Sequence, residues 1–251
     1  MTAEAMTVQY RTRHSTEFHG RLSYSSGSSI LFCFSLLHIT SDIFLEQPYF
    51  FTRIPIEIPE RMVLIRLGYN RRKTTLSADQ KSTLDRNISD GFSLCELRGC
   101  YMRMDIEKHE AGKTVLEDGS ELTGTSLAKL LQNSHAVALM ASTAGPDIVQ
   151  AAAKSIDRGD GATGVIYDAV GGQSADAALG WINEYVRQSL SRKREHLTKR
   201  RFSPGYGDVA LENQKSMYRL LDLERLGLQL TPGCMLVPEK SVTAIAGIEQ
   251  E

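Results

Sequence analysis

The chain is predicted to be α+β: a twisted antiparallel sheet with flanking helices in a single domain, preceded by an irregular N-terminal extension. Three observations lead there. Strand-like and helix-like segments do not alternate in the regular order of a doubly wound sheet. Met102, Met104 and Ile106 alternate with Arg103, Asp105 and Glu107, which is the period of a half-buried strand. His135 to Thr143 is an almost continuous apolar run, short enough for a strand buried on both faces.

The elements follow in order. Residues 1 to 53 are rich in Ser, Phe, His and Thr and show no sustained periodicity. They are expected to form a poorly ordered extension outside the domain, which then spans 54–251; upstream sequence translated from an early start codon would look like this. Ile30 to Ile39 is apolar but too short to span a bilayer, and no cleavage site of small residues follows it. Pro59 suits a first helical position, with Glu60 to Leu67 behind it and Gly68 as the stop. Ser77 can cap a helix whose stripe includes Leu84, Ile88 and Phe92. The Met102 strand is expected to pair with Lys113 to Glu117, and Asp118-Gly119 turns the chain beyond it. Ser126 opens a short helix through Leu131, and Gly145-Pro146-Asp147 begins another that reaches about Asp157.

A long helical region is predicted from about Ala162 to Glu195. Its glycines (Gly164, Gly171, Gly172 and Gly180) weaken a helix, so they should mark close backbone packing or a kink. Val209 to Leu226 reads as a helix stopped by Gly227. Two short strands, Cys234 to Val237 and Ser241 to Gly247, finish the fold.

Composition removes several function classes. Apolar content of 41% and charged content of 24% are those of an ordinary globular protein, and 251 residues can bury one substantial core. A net charge of −1 gives no general attraction to nucleic acid or to an acidic membrane. The basic run from Arg187 to Arg201 is nearly free of aromatic platforms, so it reads as a solvated helix end, with an acidic protein partner or nucleic acid as alternatives. Cys33, Cys95, Cys100 and Cys234 form no C-x-x-C pair, which indicates neither zinc nor a disulfide framework and is consistent with a reducing cytoplasm. His109 and His135 are isolated and fit no metal spacing. Gly159 to Gly164 matches G-x-G-x-x-G, but a helix rather than a strand precedes it, so it is expected to be a helix-to-helix turn and not a dinucleotide fingerprint.

The chemistry concentrates in Arg201-Phe-Ser-Pro-Gly-Tyr-Gly-Asp208. Pro204 fixes one backbone angle while Gly205 and Gly207 free theirs, so a sharp loop can hold Tyr206 outward and bring bare amides toward a ligand. Arg201 offers a planar fork of donors suited to a carboxylate. Asp176 lies 25 residues earlier on the long helix, and a chain that returns at the loop would bring both to one pocket, where a carboxylate could meet an ammonium or sulfonium group. Asp168, two turns before Asp176 on roughly the same face, competes for that role.

Two segments carry a resemblance. Arg201-x-x-Pro-Gly-Tyr206 and, after a helix, Leu230-Thr-Pro-Gly-Cys-Met-Leu-Val-Pro-Glu-Lys-Ser-Val-Thr-Ala244 resemble the activation domain of cobalamin (vitamin B12)-dependent methionine synthase. Ile166 to Gly172 fits the long helix that precedes the loop in that family. The resemblance covers about Ile54 to Ile248 and is closest to stand-alone members. It implies binding of S-adenosylmethionine in a shallow groove and its presentation to cobalamin on a separate partner, a cobalamin-binding methyltransferase domain or corrinoid protein. An electron donor such as flavodoxin or a ferredoxin-type protein would restore the inactivated cobalt state in methionine biosynthesis. By the same resemblance Arg201 binds the methionine carboxylate, backbone groups at Ser203 and Gly205 hold the adenosine and amino-acid parts, and Tyr206 faces the corrin or the transferring methyl. The family has Glu where Asp176 aligns, a longer reach. Two further ligand residues of the family, an acid near the domain's start and a tyrosine near its end, have no counterpart that can be placed. The alternative is a module that senses S-adenosylmethionine or binds a partner without promoting transfer. Since cobalt supplies the nucleophile, neither reading requires an acid–base pair on this chain.

Overall fold

Seven antiparallel strands form a curled sheet whose central strand is buried on both faces, as the apolar run at its centre predicts. The structure, a computed structural model, describes residues 47–70 and 72–251; the expected disorder of the extension lies, for residues 1–46, outside that range. The sequence places the domain boundary at residue 54. Strand β1 (Tyr49–Phe51) already pairs with β2 (Arg98–Glu110), and Phe51 is buried against the long helix, so the sheet begins before that boundary.

Helix α1 (Glu60–Arg66) buries Val63. Helix α2 (Ala78–Ser93) starts at the predicted cap, where the Ser77 hydroxyl accepts from Gln80 N–H and the Gln80 side chain accepts from Ser77 N–H. Strand β2 pairs with β3 (Lys113–Leu116) over its C-terminal half and with β5 (Ala136–Thr143) over its N-terminal half. Strand β4 (Glu121–Thr123) extends one edge, helix α3 (Thr125–Leu131) follows it, and β9 (Ser241–Gln250) pairs along the whole of β5. Strand order is β4-β3-β2-β5-β9-β6, with β6 (Glu195–Leu197) at the other edge.

Period-two alternation sends alternate residues of β5 to different cores. Ala136, Ala138 and Met140 meet helix α5 (Gly161–Ser191) through Ala178, Leu179, Ile182 and Val186. Val137, Leu139 and Ala141 meet Leu127 and Leu131 of α3 and Met217 of helix α6 (Asn213–Leu220). At Gly99 a Cβ would lie 2.5 Å from both the Ala141 carbonyl oxygen and Ile182 Cδ1, so only glycine lets α5 approach the sheet this closely. Helix α4 (Asp147–Asp157) packs on α5, and Gly164 allows it: a Cβ there would sit 2.5 Å from Ile156.

Two expected elements differ. The long helix stops at Ser191, where Arg194 takes a left-handed conformation (φ 57°), and Glu195–Leu197 becomes the edge strand β6. Only three residues long and flanked by cations, β6 has no periodicity to read. The helix expected from Val209 to Leu226 is shorter: a loop runs to Glu212, α6 follows, and Asp222 (φ 48°) breaks it before a 3-10 turn, Leu223–Leu226. The apolar spacing continues across that break because Met217, Leu220, Leu223 and Leu226 all cover the same face of the sheet. Strands β7 (Gln229–Leu230) and β8 (Leu236–Val237) form a small hairpin before β9.

Candidate functional site

A reversal of the chain brings the site's charges together. Leaving α5, the chain returns antiparallel along β9: β6 pairs Glu195 with Gln250, Thr198 N–H donates to Gly247, and Phe202 exchanges backbone bonds of 2.9 and 2.7 Å with Ile245. This path carries Arg201 back to the middle of α5, where its Nη2 donates to Asp176 Oδ1 at 3.1 Å. Asp168 lies two turns earlier and takes a different partner, accepting from Lys240 Nζ at 2.5 Å. The two acids that competed for one role therefore have separate cations.

Both acids line a groove of about 550 Å³, within the range of roughly 300–1,000 Å³ usual for small-molecule sites. Helix α5 forms its floor through Asp168, Gly172 and Asp176; Met62 and Arg66 of α1 stand on one side, and Glu239, Lys240 and Ser241 before β9 on another. Gly171 and Gly172 divide the labour. A Cβ on Gly171 would meet Lys240 Cγ at 3.0 Å, so that glycine makes room for the lysine stem, whereas a Cβ on Gly172 would meet nothing within 4 Å.

Tyr206 lines the groove at its rim and is 73% exposed. The loop that holds it is braced from within. Gly205 N–H donates to Val209 O at 2.9 Å, Tyr206 N–H to Ser203 O at 3.2 Å and Val209 N–H to Tyr206 O at 3.1 Å. Gly205 and Gly207 take φ of 85° and 63°, values that favour glycine. A ligand held by the N–H of Gly205 or Tyr206 would have to displace one of these bonds. Arg201, Ser203 and Gly205 are not among the groove-lining residues; Arg201 stands behind Asp176 and meets the groove's edge through that pair. Asp208 is a structural anchor: its carboxylate accepts from Ser126 N–H at 2.8 Å, and the bonds to Ser126 hold it below the usual carboxylate range. Beyond the loop, Asn213 bonds both backbone groups of Thr123 through its side chain, at 2.8 and 2.7 Å.

The other end of the sheet carries a different charge cluster. Arg103 Nη1 donates to both oxygens of Glu195, at 3.0 and 2.9 Å, and His135 Nε2 lies 2.9 Å from Oε1. The Glu195 side chain is only 9% exposed. Burial alone would raise its pKa, but the bonds to Arg103 and His135 outweigh that and hold it below the usual glutamate value. The basic run expected to be a solvated helix end is therefore anchored by a buried acid, and His135 has a specific partner. A hollow of about 170 Å³, lined by Tyr101, Arg103 and Lys193 among others, lies nearby and is less than a third the size of the groove.

Burial pushes the Cys95 thiol up to about 11, far from a reactive thiolate. Of the glycine-rich stretch 159–164, Gly159 and Asp160 lie in the turn between α4 and α5 and the rest is the first turn of α5, with Asp160 accepting from Thr163 N–H as the helix cap. Among the described residues, no group of three or more His, Cys, Asp or Glu could hold a metal ion, and no helix is long and apolar enough to cross a membrane.

Of the groove-lining residues, the sequence singles out Asp176, Asp168 and Tyr206, with Arg201 as the partner of Asp176, but not Met62, Arg66 or Lys240. Lys240 falls inside the segment 230–244 with no local mark of a groove role, and nothing local marks α1 as a wall of the groove.

No family model matches the chain, and no curated protein matches it. Among solved structures, the MetH reactivation domain bound to AdoHcy shares the fold with a TM-score of 0.53 at 15% identity, over 76% of this chain and 72% of that chain.

Proposed function

We propose that the groove binds S-adenosylmethionine and that the chain is a reactivation subunit for a cobalamin-dependent methionine synthase or a related corrinoid methyltransferase. The observation that carries this reading is the Arg201–Asp176 pair at 3.1 Å on the edge of a groove of ligand size. An α-amino acid carries a carboxylate and an ammonium on one carbon, and this pair offers a guanidinium for the first and a carboxylate for the second. Asp176 is 59% exposed on its side chain, so a ligand can reach it without unfolding anything. The fold shared with a reactivation domain bound to AdoHcy supports the ligand class.

In this reading Arg201 fixes the carboxylate, Asp176 fixes the ammonium, and the exposed Tyr206 presents its face where a partner's corrin would arrive. Cobalamin, carried by that partner, supplies the nucleophile. What this chain contributes is position: holding the sulfonium methyl in line with an incoming metal is worth several kcal/mol of barrier. Groove-lining carboxylates also suit the positive charge of the sulfonium.

Calorimetry with S-adenosylmethionine tests the first half; a folded sample that gives no heat at millimolar ligand would end the reading. Methylation of a reduced corrinoid protein, measured with and without the chain, tests the second half. Ligand binding with an unchanged rate would leave a sensing module instead.

A further inference from the structure

The middle of α5 holds a glycine that the helix does not need. Gly172 sits twelve residues into a helix of 31, where glycine is among the poorest residues. Its neighbours explain themselves: Gly164 lets α4 approach, and Gly171 takes the Lys240 stem and Ile148. Gly172 has no such cause, since a Cβ built on it meets nothing within 4 Å, yet it lines the groove.

Its position along the helix is informative. Asp168, Gly172 and Asp176 are spaced i, i+4, i+8 and so share one face. The outer two are ion-paired to cations from different segments, Lys240 before β9 and Arg201 on the loop. At a rise of about 1.5 Å per residue, the acids stand roughly 12 Å apart along the axis, with bare backbone midway. An elongated ligand whose two ends carry polar groups fits that layout. Resting on the S-adenosylmethionine reading above, we propose that Gly172 is the specificity-determining floor of the groove: the ligand crosses α5 over its Cα, with its amino-acid end at Asp176–Arg201 and its ribose hydroxyls at Asp168–Lys240. A vicinal diol both donates and accepts, and an aspartate beside a lysine supplies one acceptor and one donor. The glycine thereby separates nucleoside-linked amino acids, which need the full length, from free amino acids, which do not.

Gly180 is the matched control. It lies two turns further along the same helix, a Cβ there also meets nothing within 4 Å, and it does not line the groove. The test is calorimetric titration of S-adenosylhomocysteine into the full chain and into Gly172→Val, Gly180→Val and Asp168→Ala, with a thermal melt of each. Gly172→Val is expected to lose at least tenfold in affinity with a melting temperature no lower than wild type. Gly180→Val should keep wild-type affinity, and Asp168→Ala should lose at least threefold. Wild-type affinity in Gly172→Val overturns the floor while leaving the ligand reading standing. A loss in Gly172→Val that comes with a lowered melting temperature, or that Gly180→Val shares, reassigns the residue to helix structure. Unchanged affinity in Asp168→Ala removes the far contact and the crossing with it. A wild-type protein that gives no heat overturns the ligand reading itself, and this inference falls with it.

Discussion

Charges at the two ends of the sheet serve opposite purposes. At the end where β9 begins, Asp176 and Asp168 are paired to Arg201 and Lys240 but remain 59% and 49% exposed on their side chains, facing an open groove. At the end where β9 finishes, Glu195 is almost fully buried and accepts from Arg103 and His135 at about 3 Å. A buried acid whose oxygens are all taken cannot be offered to a ligand, because breaking its bonds leaves an uncompensated charge inside the protein. An exposed pair costs little to open, since water replaces the lost partner. The same residue types are therefore structural at one end and available at the other, and burial is what separates them.

The largest test of that contrast is Glu195→Ala. Removing one partner of a buried pair should cost about 3 kcal/mol, which for a domain of this size is a fall in melting temperature of roughly 6–12 °C. Ligand affinity should not change, because Glu195 is remote from the groove. A wild-type melt would show that β6 is held by its ladder alone and would erase the distinction. The same acid predicts the pH response. Its folded pKa lies below the usual 4.5, so its contribution is complete above that value and is lost as pH falls through the lower, folded one. Wild type should therefore lose stability on acidification below pH 4.5 more steeply than Glu195→Ala. Parallel curves for the two proteins would assign the acid sensitivity to other carboxylates.

Arg201→Ala is the next test and inverts the pattern. Losing a hydrogen bond to a charged group should weaken S-adenosylmethionine binding by about 1.5–3 kcal/mol. Stability should change by less than about 1 kcal/mol, because Asp176 is mostly in water. A variant that melts as low as Glu195→Ala would make Arg201 a structural residue, and one that keeps full affinity would remove its assigned role.

The two ends also differ in how much of them the sequence discloses. Asp176 sits on a helix and Arg201 and Tyr206 in a glycine- and proline-marked loop, both of which have local signatures, so the three can be named together from the sequence. Their partners cannot all be named: Lys240 reaches Asp168 across 72 residues, placed by tertiary contacts that include its stem against Gly171 and the Ala144 N–H on its carbonyl. The other end is not legible in the sequence: Glu195 falls within a run of helix-end cations, and an edge strand of three residues has too few positions to show a period. Its meaning comes from Arg103 and His135, 92 and 60 residues away. The sheet was more legible. Continuous apolarity in β5 reflects two cores and places that strand within a residue, whereas alternation marks only the middle of β2, which extends four residues before Met102 and three beyond Glu107. Helix breaks were the opposite case, since the pieces on either side of Asp222 bury the same face and leave the spacing intact.

The smallest expected effect concerns the loop that joins the two behaviours. Tyr206 is supported by internal backbone bonds at Gly205 and Val209, yet its ring stands 73% exposed at the groove rim. A phenol so exposed contributes little to stability, and its hydroxyl has water as an alternative partner in the free protein. Tyr206→Phe should therefore leave the melting temperature and S-adenosylmethionine affinity within error of wild type, while slowing methylation of a reduced corrinoid protein. The three readouts separate three roles for the hydroxyl. A lowered affinity would place it on the ligand, a lowered melt would place it in the fold, and an unchanged methylation rate would leave the ring as a surface that needs only its shape.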